Sequence, residues 1–144
     1  MVKYQRLAVL VVFILLLAGC AGTGQISKGT SSKYRNVQTI SIFTFTCSDP
    51  FIAEEVKNGI IEELLGSYTV ILGEGADISI KGSISLTPSA SGNSVSEIKA
   101  QILRNNMVTD SLSLLQSGGN GGAAGSPEAM GKKIGVNIHN MLSM

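Results

Sequence analysis

The chain of 144 residues has no tryptophan, and aromatic residues make up 5% of it. Those beyond the amino-terminal stretch are Tyr34, Phe43, Phe45, Phe51 and Tyr68, three of which fall at positions that read as core. A stacking platform for sugar rings is therefore poorly supplied, which argues against direct glycan binding. Histidine occurs once, as His139. One imidazole holds no metal without help, and the nearest acidic side chain in its segment is Glu128, three turns back; a helix-end histidine near the negative pole of the dipole is the plainer reading. Charge of one sign is also missing: eleven basic residues stand against ten acidic ones. No polybasic footprint for nucleic acid or anionic lipid follows from that balance. A long apolar run occurs once, from Leu7 to Leu17, and it is too short for a stable membrane span.

What surrounds that run carries more information. Lys3 and Arg6 precede it, and Leu17-Ala18-Gly19-Cys20 closes it. This is the pattern of a secretory signal, and the last four residues resemble the lipobox of bacterial envelope lipoproteins. The resemblance implies cleavage before Cys20, acylation of its thiol and, in most such proteins, of the new amino terminus. Each buried methylene contributes about 0.8 kcal/mol, so one acyl chain holds a protein marginally and two or three hold it for good. The expected location is the periplasmic face of the outer membrane, because Ala21 follows the cysteine where an aspartate would indicate retention at the inner membrane. Removing residues 1–19 from 144 leaves 125, enough for one domain with one modest core. Once Cys20 is acylated, Cys47 has no partner for an internal disulfide. At the end of an apolar stretch it reads as a small buried filler, with an intermolecular disulfide as rival.

Residues 20–36 are rich in Gly, Ser, Thr and Lys and read as the lipidated cysteine and a flexible tether. As a coil it would reach about 20 to 25 Å. Residues 37–144 read as a single domain. Val37 to Phe45 has the pattern of a buried strand, and Asp49-Pro50 supplies a helix N-cap followed by proline at the first helical position. The predicted helix runs from Pro50 to Leu65. Ile52, Val56, Ile60 and Leu64 form its apolar face, flanked by Ile61 and Leu65, and Gly66 ends it. Glu54, Glu55, Glu62 and Glu63 fall on the opposite face and read as solvated rather than catalytic. Strands are expected at Tyr68 to Leu72, Ile78 to Leu86, Val95 to Leu103 and Met107 to Leu115. Pro88 to Asn93 is expected as a loop and Asn105-Asn106 as a tight hairpin turn. Ser126-Pro127-Glu128 caps a last helix whose core face is Met130, Ile134, Ile138 and Met141. The predicted architecture is α+β: a two-layer sandwich with a mixed sheet of about five strands, two helices on one face, and the order β-α-β-β-β-β-α.

The glycine segment from Ser117 to Gly125 contains a literal G-x-G-x-x-A ahead of a helix. With no strand after it and no acidic residue about twenty positions on, it is not a dinucleotide fingerprint. Gly131 and Gly135 lie four apart within the last helix, where two glycines cost roughly 2 kcal/mol relative to alanine. Close approach to the sheet or to another subunit would recover that cost. Gly118, Gly119, Gly121, Gly122, Gly131 and Gly135 are therefore the candidate contact surface for a partner or a second copy.

The order of elements, with Tyr68-Thr69-Val70-Ile71 and the phrase Ala76-Asp77-Ile78-Ser79-Ile80-Lys81-Gly82-Ser83-Ile84, resembles small envelope lipoprotein domains related to CsgG and to the amino-terminal domain of TolB. CsgG-type pores use long amphipathic hairpins, and the loops here are too short to cross a bilayer. The resemblance thus implies a non-enzymatic accessory role in binding or stabilising an envelope protein complex. No cofactor beyond the lipid on Cys20, no metal, no nucleic acid and no small-molecule substrate is expected. A lipoprotein activator of a peptidoglycan synthase is the alternative, with a hydrolase of unrecognised site behind it.

Overall fold

A computed structural model describes residues 33–90, 92–116 and 125–144. Its elements are β1 (Thr39–Ile42), α1 (Pro50–Leu64), β2 (Thr69–Ile71), β3 (Ile78–Ser89), β4 (Gly92–Arg104), β5 (Met107–Leu115) and α2 (Pro127–Leu142). One five-stranded sheet runs in the order β2-β1-β3-β4-β5. β1 is parallel to both β2 and β3, whereas β3, β4 and β5 form an antiparallel meander. The fold is the α+β sandwich with a mixed sheet and two helices that the sequence predicts.

Each helix starts where its cap residue dictates. The Asp49 carboxylate accepts from the Phe51 and Ile52 N–H groups at 3.0 and 3.3 Å, and Ser126 Oγ accepts from the Ala129 N–H at 3.2 Å. Proline follows both caps, at a position whose N–H has no intrahelical acceptor. The apolar stripes follow the helical period: Ile52, Val56, Ile60 and Leu64 on α1, and Met130, Ile134, Ile138 and Leu142 on α2, are buried. Ile80, Ile98 and Ile102 meet them from the sheet with no exposed surface. The opposite face of β3 carries Lys81, Ser83 and Ser85, all exposed.

Five details depart from the sequence reading. β1 ends at Ile42 rather than Phe45: the chain leaves the ladder and rejoins it where Thr46 bridges Ser83. The reason is Phe45, which is buried over Gly82; a Cβ there would lie well inside contact distance of its ring and of the Lys99 carbonyl oxygen. Pro88 to Asn93 is strand instead of loop, with Pro88 paired to Asn93. β1 is too short to flank this part of β3, so Pro88 sits beside an open edge, where proline is tolerated. Leu65 is exposed, because one further helical step carries it off the stripe. Gly66 lies in the turn after α1 without a positive φ, and that end is closed by the Ser67 and Tyr68 N–H groups on the Leu64 carbonyl. Finally Tyr34, assigned to the tether on composition, is a core residue at 5% exposure.

The connection from β2 to β3 must pass β1, and it does so on the face away from the helices. Ser41, between the core-facing Ile40 and Ile42, donates its hydroxyl to the Gly73 carbonyl of that connection. Asp77 closes it: its Oδ2 accepts from the N–H groups of Gln38 and Thr39, both at 2.9 Å, and from the Thr39 hydroxyl at 3.0 Å. These bonds hold the Asp77 carboxyl below its ordinary value, the Gln38 N–H contributing most. At the other end of the meander, Asn105 and Asn106 have φ of 52° and 62°, the left-handed pair of the expected tight hairpin.

Candidate functional site

Gly131 and Gly135 are buried, and what approaches them is α1 of the same chain, not the sheet or a second copy. A Cβ at Gly131 would sit 3.0 Å from the Val56 carbonyl carbon and closer still to its oxygen. At Gly135 it would sit 2.7 Å from Glu63 Cβ. Gly59 completes the contact from the other side, 2.9 Å from the Lys132 nitrogen by the same construction. Together these contacts show two helices running in the same sense with their backbones nearly touching. The helix-propensity cost of the glycines is recovered inside the domain, and the surface expected at Gly131 and Gly135 is occupied by α1. Gly59 was not singled out on sequence, because one glycine in an amphipathic helix carries no signal without its partners. Lys132 ties the same pair from outside, to Glu62 at 3.0 Å and to Glu128 at 3.2 Å, which raises its pKa above the ordinary value.

Cys20 and Gly118, Gly119, Gly121 and Gly122 lie outside the described residues. Cys47 is a free, half-buried thiol packed against the core, as expected of a filler. His139 stands in the last turn of α2, with its ring edge on Tyr68 at a centroid distance of 5.9 Å. Glu54, Glu55, Glu62 and Glu63 are exposed. Among the described residues no three His, Cys, Asp or Glu side chains gather as a metal site would require. No helix among them is long and apolar enough to cross a membrane. On the open face, Phe43, Ser79, Lys81, Leu103 and the β2–β3 connection line a hollow of about 230 Å³, below the range of small-molecule sites. Lys81 Nζ lies over the Phe43 ring at 4.8 Å and occupies that face itself.

The remaining open feature of the sheet is the outer edge of β5. Among the described residues no strand pairs with it, and an unpaired edge is a template for strand addition. Its two halves differ. At the start, Lys33 donates to the Thr109 carbonyl and pairs with Asp110 at 2.8 Å, while the Tyr34 hydroxyl bonds Thr109 Oγ1 at 2.9 Å and the Asp110 carboxylate. Burial, reinforced by that carboxylate, pushes the Tyr34 pKa up to about 12. Further along, Leu112 and Leu114 lean into the core while Ser111, Ser113 and Leu115 face water, Leu115 with 69% of its surface exposed. Ser113 is held on the open face by Glu97 at 2.8 Å. The chain then continues into the glycine segment, so Ser111 to Leu115 and residues 118–122 are adjacent in sequence. The opposite end of the sheet offers a second, shorter edge, β2, of three residues.

A two-layer α+β sandwich whose mixed sheet ends, among the described residues, in the edge strands β2 and β5 is the class that this geometry defines. No family model matches the chain, and no curated protein does. Among solved structures the chain is similar to the PelC dodecamer from Paraburkholderia phytofirmans. TM-score is 0.50 and identity 12%, over 67% of this chain and 83% of that one. A PelC dodecamer of the same organism with a leucine-to-methionine substitution gives the same score and identity, over 67% and 82%. At that identity the likeness is one of fold.

Proposed function

We propose that the protein is a lipid-anchored component of the bacterial envelope, facing the periplasm from the outer membrane, that acts without catalysis as a self-associating scaffold for an envelope complex. The observation that carries this reading is the outer edge of the distal half of β5, which no strand among the described residues pairs, with Leu115 exposed, in a fold shared with proteins solved as dodecamers. A contact from the β5 edge of one copy to the β2 edge of the next is heterologous, and repeated contacts of that kind give rings where the rotation closes. The glycine segment with Gly118, Gly119, Gly121 and Gly122 follows β5 directly and belongs to the same contact. The lipobox at Leu17 to Cys20 supports the anchoring, and the resemblance of residues 37–144 to CsgG- and TolB-related domains supports the accessory role.

Crosslinking of intact cells tests the reading. Copies of the chain joined to one another in the membrane fraction are expected, and Leu115→Lys should abolish those products while the protein stays in that fraction. Capture of a peptidoglycan synthase in place of further copies would move the reading to an activator. An unmodified mature protein, free in the soluble fraction, would remove the anchor.

A further inference from the structure

The described chain begins at a corner of the sandwich, and that corner has a particular composition. β1, β2 and β3 start there, β4 ends there and β5 begins there. Lys33 is fixed to both arms of the β4–β5 hairpin: its carbonyl accepts from Arg104 Nη1 at 2.8 Å, and its ammonium holds Asp110 and the Thr109 carbonyl. Tyr34, buried behind it, keeps the chain from peeling away. The chain from Cys20 therefore reaches the domain within a few residues of the hairpin tip. That tip exposes two consecutive apolar side chains, Met107 at 67% and Val108 at 53%, next to the Asn105-Asn106 turn. Lys33 and Arg104 stand beside it, Lys33 paired with the Asp110 carboxylate and Arg104 within electrostatic reach of Asp77, while Glu74 lines one hollow with the turn residues Asn105 and Asn106.

Twelve residues, and thirteen steps of the backbone, separate Cys20 from Lys33, so even fully extended the connection spans no more than about 45 Å. A domain held on such a leash meets the bilayer more often with the corner nearest the leash than with any other. A contact too weak to recruit the protein from solution is populated under those conditions, because the leash sets its effective concentration. An exposed apolar tip suits the headgroup boundary, where apolar side chains dip in while the polar turn beside them stays in water.

We propose that the β4–β5 hairpin tip, Asn105 to Val108, is a membrane-contact surface that seats against the phospholipid headgroups of the anchoring leaflet and fixes the orientation of the domain, with the Leu115 end of β5 directed away from the lipid. The proposal rests on acylation of Cys20. It gives the Lys33–Tyr34–Asp110 cluster a use beyond folding, since the cluster couples the anchor to the tip.

The test uses the full acylated protein carrying Cys47→Ser, reconstituted into vesicles of phosphatidylethanolamine and phosphatidylglycerol. One cysteine is introduced by Met107→Cys, with Val108→Cys as a second form and Leu115→Cys as the control, and labelled with an environment-sensitive fluorophore. A blue shift at positions 107 and 108 and loss of their emission with spin-labelled lipid, neither occurring at 115, is the expected result. Emission at 107 and 108 as water-like and unquenched as at 115 would overturn the proposal. So would protection at 107 that lipid-borne quenchers do not reach but that grows with protein density, which would mean a second copy occupies the tip. Mass spectrometry of Cys20 separates the two levels: an unacylated cysteine removes the anchor and the proposal together, whereas an acylated one with an unquenched tip overturns the seating alone.

Discussion

The helix pair and the far edge of the sheet handle backbone polar groups in opposite ways. Between α1 and α2, three glycines bring two backbones so close that no methyl group fits at Gly59 or Gly131. Along the distal half of β5 the outward backbone groups meet no partner strand among the described residues, and Leu115 lies open beside them. One region is closed to any added atom, and the other leaves a strand edge open among the described residues. Glycines in a helix are thus a sign of internal closure in this fold, and the proposed opening for a partner lies in a strand that reads as ordinary on sequence.

Substitution in the closed region should give the largest change. Gly131→Ala gains helix propensity, yet its methyl group meets a carbonyl that cannot turn aside, and overpacking of this kind costs about 3 kcal/mol. That corresponds to a fall of about 10 to 20 °C in melting temperature, readable by circular dichroism. Gly59→Ala should cost a similar amount, and the double variant less than the sum, because either methyl group forces the same separation of the helices. Additive effects would mean that the two contacts are independent.

Loss of a cap comes next. Asp49→Ala removes the acceptor of two N–H groups and should cost about 1 kcal/mol in a denaturant titration, with α1 retained. Acid should act through Asp77 and Asp110, whose carboxyls are both held below the ordinary 3.8. For Asp77 the cause is hydrogen bonding from Gln38 and Thr39, and for Asp110 it is hydrogen bonding from Lys33, then Tyr34. A depressed folded pKa contributes stability that is present above the unfolded value and lost as pH falls through the folded one. Melting temperature should therefore hold down to about pH 4 and then decline. Asp77→Asn should lower the plateau by less than Asp49→Ala does and make the decline shallower.

The smallest effect on stability belongs to the open edge. Leu115→Lys and Ser113→Pro touch no buried contact of their own side chains, and Leu115→Lys should change unfolding free energy by less than about 0.5 kcal/mol. Their effect is expected in association instead.

How much of this was legible in the sequence follows from the range of each signal. Caps and apolar stripes are local, so Asp49-Pro50, Ser126-Pro127 and most of both helix faces read directly, with Leu65 exposed and Leu142 buried in the place expected for Met141, as did the alternation of Ile78, Ile80 and Ile84 and the left-handed Asn105-Asn106 pair. Features set by a distant partner did not read. Tyr34 is core because Thr109 and Asp110 receive its hydroxyl, some 75 positions away. Phe45 leaves the ladder because Gly82 makes room for it, and Gly131 and Gly135 face α1 because Val56 and Glu63 lie there. The Asp77 of the phrase at 76–84 read as a motif, and its physical content, a carboxylate stapling the starts of β1 and β3, became visible once Gln38 and Thr39 were placed beside it. The edge of β5 was hidden for a different reason: its sequence alternates as any half-buried strand does, and only the strand order shows that no strand among the described residues flanks it.

The mass of the acylated protein, extracted in mild detergent and measured by light scattering, tests the central claim most directly. The account predicts a closed oligomer for the wild type, monomers for Leu115→Lys and for Ser113→Pro with melting temperature essentially unchanged in the former, and a destabilised but still associating Gly131→Ala. A monomeric wild type, or an oligomer that survives both edge substitutions, would contradict it.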